Sequence, residues 1–299
     1  MHKLLRGTGT ALATPFHADG TIDFESFARL IDYQLEGGVE MLVPLGSTGE
    51  NPTITRTERT EIFRWIVEYV NRRAIVIAGT GTNDTRSSIE YTEEAMALGA
   101  DAALIVTPYY NKPTPHGLFE HFRAVADVGL PVVMYNVPGR TGLNMTAETT
   151  LRCAEIENIV AIKEASADFS QCMEIIRNAP AGFNLLSGED NITVPLISVG
   201  AKGVVSVAAN VVPTEFSRMV RFALEGKFEE ARALHYELLD LMRVNFIESN
   251  PGPVKAALAM RGIIQEYLRL PLVPVKAESR KKIREVLERL DSIFIEEMA

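Results

Sequence analysis

Short runs of Val, Ile, Leu and Ala recur along the chain at intervals of roughly 20 to 35 residues, each ending in a polar or glycine-containing turn and followed by a longer amphipathic stretch. Eight such runs are readable, near Gly9–Ala13, Met41–Leu45, Ala74–Ala78, Ala102–Val106, Val132–Tyr135, Val160–Lys163, Asn184–Leu186 and Gly203–Val205. Short strands alternating with helices predict a parallel sheet with right-handed crossovers, and eight βα units suffice to close a barrel. An open doubly wound sheet would carry a glycine-rich dinucleotide loop after its first strand, whereas here that strand runs into Thr14-Pro15. The expected fold is therefore α/β, a (β/α)8 TIM barrel over residues 1–225, followed by a C-terminal helical appendage over 226–299. The helices carry ordinary start and stop signals: in DFESFARLIDYQLEGG, Phe24, Phe27, Leu30, Ile31 and Leu35 share a face, and Gly37 and Gly38 end it.

Composition narrows the function classes. Thirty basic against thirty-nine acidic side chains give a net charge of −9, which disfavours nucleic acid and anionic membranes as partners. The N-terminus has Lys3 and Arg6 but no apolar run fit for a signal peptide, and no later stretch reads as a membrane span, so a cytoplasmic protein is expected. Cys153 and Cys172 form no CxxC, and His2, His17, His116, His121 and His235 form no HxH or HExxH. Neither a disulfide framework, nor a metal site, nor a cofactor is expected. The Gly79–Thr85 turn lacks the Gly-Lys-Ser/Thr ending of a phosphate loop, and a helix cap at Asp84 accounts for it.

In a closed barrel the active site lies at the C-terminal ends of the strands, so the polar residues that finish each apolar run are the candidates. They include Gly46-Ser47-Thr48-Gly49-Glu50, Thr107-Pro108-Tyr109-Tyr110, Tyr135-Asn136, Lys163-Glu164 and Ser187-Gly188. Lys163 ends NIVAIKEAS, and two positions on from Ala161 its side chain can face the barrel axis. A lysine in apolar surroundings gives up its ammonium form more readily, and a neutral amine attacks a carbonyl to form an imine that acts as an electron sink. The competing reading is a strand-end lysine that snorkels to water. Tyr135 ends the adjacent strand, within reach for proton transfer, and Ser47 with a second tyrosine such as Tyr110 can supply the hydrogen-bond chain a phenol needs. The Gly46–Gly49 turn offers backbone donors and two hydroxyls for a carboxylate, or is an ordinary tight turn. Arg140, in NVPGRTG, can bind a carboxylate in bidentate fashion, or is a surface arginine.

The segments LGSTGENPTIT, VIAGTGTNDT, TPYYNKPT, YNVPGRTG, IKEAS, LSGED and GVVSVAAN occur in one order at barrel-strand spacing. Together, from residue 8 to about 265, they resemble the dihydrodipicolinate synthase and N-acetylneuraminate lyase family of pyruvate-dependent class I aldolases. The resemblance implies that Lys163 is the Schiff-base lysine, Tyr135 the proton donor and acceptor, and Ser47 and Tyr110 the rest of the relay, with the tyrosine reaching in from a neighbouring subunit. It implies that Thr48 and the Val205 backbone clamp pyruvate, that Gly188 lines the pocket, and that the chain forms a homotetramer built as a dimer of dimers. Arg140 after Val-Pro-Gly looks like the synthase branch, where the second substrate is L-aspartate 4-semialdehyde and the product leads to diaminopimelate and lysine. Ser47 is similar to the lyase branch, which keeps cleavage of N-acetylneuraminate or a 2-keto-3-deoxy sugar acid as the alternative. A barrel that binds a metabolite without forming an imine is the alternative of another class. Of the positions where feedback-inhibited synthases bind lysine, Asn83 and Tyr109 match. Ser87 in place of an acid, with Arg56 and Arg59 nearby, implies weak or absent inhibition by lysine.

Overall fold

Alternation along each strand decides which side chains fill the barrel and which meet the helices. The structure, a computed structural model, describes residues 5–298; His2 and Lys3 lie outside the described residues. Its strands are β1 (Gly7–Ala11), β2 (Met41–Val43), β3 (Ile75–Gly79), β4 (Ala102–Val106), β5 (Val132–Asn136), β6 (Ile159–Glu164), β7 (Asn184–Ser187) and β8 (Gly203–Ser206). All pair in parallel with their sequence neighbours, and β8 returns to β1, closing an eight-stranded barrel. Met41, Val43, Ala102, Leu104, Val133, Tyr135, Ala161, Leu186 and Val205 form one apolar cluster, the filling of the barrel. Their neighbours Leu42, Ala103, Ile105, Val132, Met134, Ile162 and Val204 belong to a second, larger cluster shared with the helices. Strands buried on both faces explain why the sequence shows continuous apolar runs rather than alternating ones.

The seam between β8 and β1 is set by small residues and one amide. At Gly203 a β-carbon would stand 2.1 Å from the Gly7 carbonyl oxygen, so only glycine lets the two strands meet there. Asn210 then ties the seam above: its Nδ2 donates to Ala11 O at 2.8 Å and its Oδ1 accepts from Ala13 N–H at 3.2 Å.

The outer helices start where side chains cap them. Asp23 accepts from Ser26 N–H before the helix Phe24–Glu36, Asp84 from Ser87 N–H before Thr85–Ala97, and Thr55 forms a reciprocal capping box with Glu58. Beyond the barrel come helices Phe228–Val244, Gly252–Met260 and Ala277–Met298. They turn back onto the molecule: Lys255 is fully buried, and residues near 250 and 270 reach the C-terminal mouth of the barrel. No helix among the described residues is long and apolar enough to cross a membrane.

Candidate active site

Lys163 sits on β6 opposite Tyr135 of β5, register partners in the sheet, and the alternation that places Ala161 in the barrel interior places Lys163 there too. It is 5% exposed, and its Nζ lies 4.3 Å from the centroid of the Tyr135 ring. Among the described residues no carboxylate comes within salt-bridge distance of that nitrogen, in contrast to the other buried lysine, Lys255. The end of β6 is anchored from behind by Glu164. Asn136 Nδ2 donates to both of its oxygens at 3.1 and 3.0 Å, Gln171 Nε2 donates at 3.0 Å, and Ser166 N–H at 2.7 Å. Burial pushes the Glu164 carboxyl above its ordinary range, and these donors oppose the shift.

Two adjoining chambers open at this end of the barrel. The inner one, about 40 Å³, is lined by Lys163, Tyr135, Ser47, Thr48, Arg140, Gly188, Glu189, Val207, Phe246 and Asn250, among others. The outer one, about 330 Å³, shares Gly46, Ser47, Tyr135, Val137, Arg140 and Asn250 and extends past Tyr109 to Pro271 and Leu272. Gly188 has to be small: a β-carbon there would meet that of Ala165 at 2.6 Å, and its N–H donates to Glu164 O at 2.7 Å. In the Gly46–Glu50 turn, Gly49 N–H donates to Gly46 O and Glu50 N–H to Ser47 O, while among the described residues the N–H groups of Ser47 and Thr48 find no partner. Those two amides and the Ser47 hydroxyl can receive an anion beside Lys163, and Thr48 Oγ1, which accepts from Asn250, keeps its hydrogen to donate.

The remaining sequence candidates stand apart. Val205 is buried in the barrel filling and does not line either chamber, where Val207 takes part instead. Tyr110 is 90% exposed, has φ +72°, and lines neither chamber of this chain. Ser87 spends its hydroxyl on Asp84 at 2.6 Å, and Arg59 is buried with its guanidinium 4.3 Å from the Tyr91 ring centroid, also donating to Gly79 O at 3.0 Å.

Two contributors escaped the sequence reading, and a third was read only as the end of a turn. Asn250, from the C-terminal segment, donates through Nδ2 to Thr48 Oγ1 at 3.0 Å, and its carbonyl accepts from Arg140 Nη2 at 3.2 Å, so it spans both walls of the site. Glu189 sits between Gly188 and the buried Asp190. Burial and then Asp190 push its carboxyl up, and the cations Lys163 and Arg140 pull it down. The third is Glu50. Its carboxylate is fully buried and accepts from Lys255 Nζ at 2.6 Å and from Arg269 N–H at 3.0 Å. Burial pushes the Lys255 ammonium down, to about 8, against the hold of Glu50. The polar residue in SNPGP was the available signal for Asn250, but nothing local says where that turn folds back. Among the described residues no three metal-ligating side chains come together.

The arrangement is a buried amine in a small chamber, a phenol against it, an anion cradle of hydroxyls and amides, and an arginine at the rim. Known proteins resemble this chain over nearly its whole length. A profile of the Dihydrodipicolinate synthetase family matches residues 4–290. A 4-hydroxy-tetrahydrodipicolinate synthase of Phocaeicola vulgatus is 48% identical over 288 residues, covering 96% of this chain and 97% of that protein. The crystal structure of dihydrodipicolinate synthase from Aquifex aeolicus superposes with a TM-score of 0.94 at 43% identity, covering 96% of this chain and 98% of that one. A structure described as the first monomeric dihydrodipicolinate synthase variant gives a TM-score of 0.95 at 41% identity, covering 97% and 98%.

Proposed function

This chain belongs to the dihydrodipicolinate synthetase family, and from that premise we propose that it condenses pyruvate with L-aspartate 4-semialdehyde through an imine on Lys163. The observation that carries the reading is the unpaired, buried Lys163 amine held against Tyr135 in a chamber whose other wall is the Ser47–Thr48 turn.

The Lys163 nitrogen attacks C2 of pyruvate, and loss of the carbonyl oxygen as water leaves the imine. The pyruvate carboxylate lies in the Ser47–Thr48 cradle, with Gly188 and Val207 lining the chamber. Tyr135 moves the proton from C3, through Ser47 and a tyrosine hydroxyl at Tyr110, and the enamine forms. Enamine C3 attacks the aldehyde carbon, whose oxygen takes up a proton as the C–C bond closes. The amine of the semialdehyde then displaces Lys163 from C2, closing the ring and freeing the lysine. Arg140, at the rim and fixed by Asn250 O, meets the semialdehyde carboxylate as a bidentate partner. The exposure of Tyr110 supports its working in a second copy of the chain, in a homotetramer built as a dimer of dimers.

Borohydride reduction in the presence of pyruvate tests the reading. One reduced pyruvate is expected on the peptide that carries Lys163, located by intact mass and peptide mapping, and Lys163→Ala should carry none. An unmodified wild-type chain would refute it. Turnover with the semialdehyde but not with N-acetylneuraminate is the expected partition between the synthase and lyase branches.

A further inference from the structure

The Ser47–Thr48 turn is bracketed by two non-glycine residues in left-handed backbone, Leu45 and Glu50, each with φ +55°. L-residues avoid that conformation, so neighbouring contacts must hold it. At Leu45 the holding contacts belong to the barrel, since the residue is fully buried in the main apolar cluster. At Glu50 they come from the far end of the chain. Lys255 Nζ and Arg269 N–H each take one carboxylate oxygen, and Lys255 Nζ rests 4.3 Å from the Phe16 ring centroid. Arg269 lies 4.5 Å from the same ring and donates to Thr53 O, just beyond the turn, at 2.8 Å. Five residues before Lys255, Asn250 donates to Thr48 Oγ1. One short segment thus grips the turn at Thr48 and at Glu50.

A fully buried ion pair is a poor way to stabilise a fold, because desolvation of both charges offsets their attraction and an apolar pair of similar volume often serves as well. What the charges add is a single allowed geometry. We infer that Glu50 and Lys255 are a positioning pair for the reaction: they fix the Ser47–Thr48 turn so that its hydroxyls and amides face the substrate on Lys163. The inference rests on the imine chemistry proposed above. Neither residue lines the inner chamber that holds Lys163, and Glu50 borders only the outer one, so both act on that chamber through the turn.

The test uses the full-length protein, wild type beside Glu50→Gln, Lys255→Met and the double variant. Borohydride-trapped pyruvate on Lys163 and solvent deuterium entering pyruvate C3 by NMR are read below every melting temperature, and the thermal midpoint is measured separately. The single variants leave one buried charge unpaired and should melt earlier. In the double variant the amide keeps an acceptor for Arg269 N–H and the thioether packs on Phe16, so the midpoint should return to within a few degrees of wild type. Saturating trapping should persist there while deuterium exchange stays down at least about tenfold, the scale of a displaced proton relay. Exchange restored along with stability would reduce the pair to a packing feature and overturn the inference, as would failure of the double variant to fold or to trap. Absence of trapping in the wild type would instead strike the imine reading itself.

Discussion

Arg140 and Lys163 illustrate two kinds of residue at one site. Lys163 is fixed by strand register and Arg140 by a contact from another part of the chain; in the proposed reaction the first is chosen for its chemistry and the second for its fit. Arg140→Ala should therefore leave borohydride trapping of pyruvate intact while raising the KM for the semialdehyde at least about tenfold, the loss expected for a charge-assisted carboxylate contact. Loss of trapping in step with turnover would make Arg140 a structural arginine. The same distinction explains what could be read at this scale. Lys163, Tyr135, Ser47 and Gly188 stand at the ends of apolar runs, so their convergence at one mouth follows from barrel geometry. Asn250 stands in no run, and Glu189 stands just past the Ser187-Gly188 run end; their places depend on how a late turn folds back and on which carboxylate burial selects. Glu50 was visible as a letter of GSTGE, but its charge partners are more than two hundred positions away along the chain.

Between elements, the outer helices meet through sparse polar contacts set in an apolar layer. His121, on the helix Pro115–Ala126, shares a 2.9 Å hydrogen bond through Nδ1 with Thr85, at the start of the neighbouring helix Thr85–Ala97. Burial holds the His121 imidazole down to about 4, against 6.5 in an exposed setting, with Asp84 opposing weakly. In that interval the unfolded chain binds a proton that the folded chain does not. The contribution is complete above pH 6.5 and is lost as pH falls toward 4, on the order of 3 kcal/mol in all. Urea midpoints taken from pH 7 down to 4.5 should fall less steeply for His121→Gln than for the wild type; equal slopes would remove His121 from the acid response. Elements were the most legible level in the sequence. All eight strands were readable because a strand buried on both faces is an unbroken apolar run. The first was read two residues late, since Leu12 and Ala13 are as apolar and as buried as the strand but lie past its last pairing with β8. The C-terminal helices were also visible, but not their direction of travel, because an amphipathic pattern reports that a face is covered without saying by what.

At the scale of the whole molecule, the 90% exposed Tyr110 is the residue that a single chain leaves without a role. If it completes the relay of a second copy, sedimentation should give a mass four times the 33.0 kDa chain, and Tyr110→Phe should slow turnover about a hundredfold with pyruvate trapping unchanged. A monomer with full activity would refute this. The grip of Lys255 and Arg269 on Glu50 has another consequence, one of timing. A ribosome delivers the chain from its N-terminus at about 5–20 residues per second, so the barrel strands emerge many seconds before the segment that pairs with Glu50. Until then that carboxylate has neither of the partners that hold it in the folded chain. The nascent barrel thus lacks the contacts that hold this turn until Lys255 and Arg269 have been made, more than two hundred positions after Glu50.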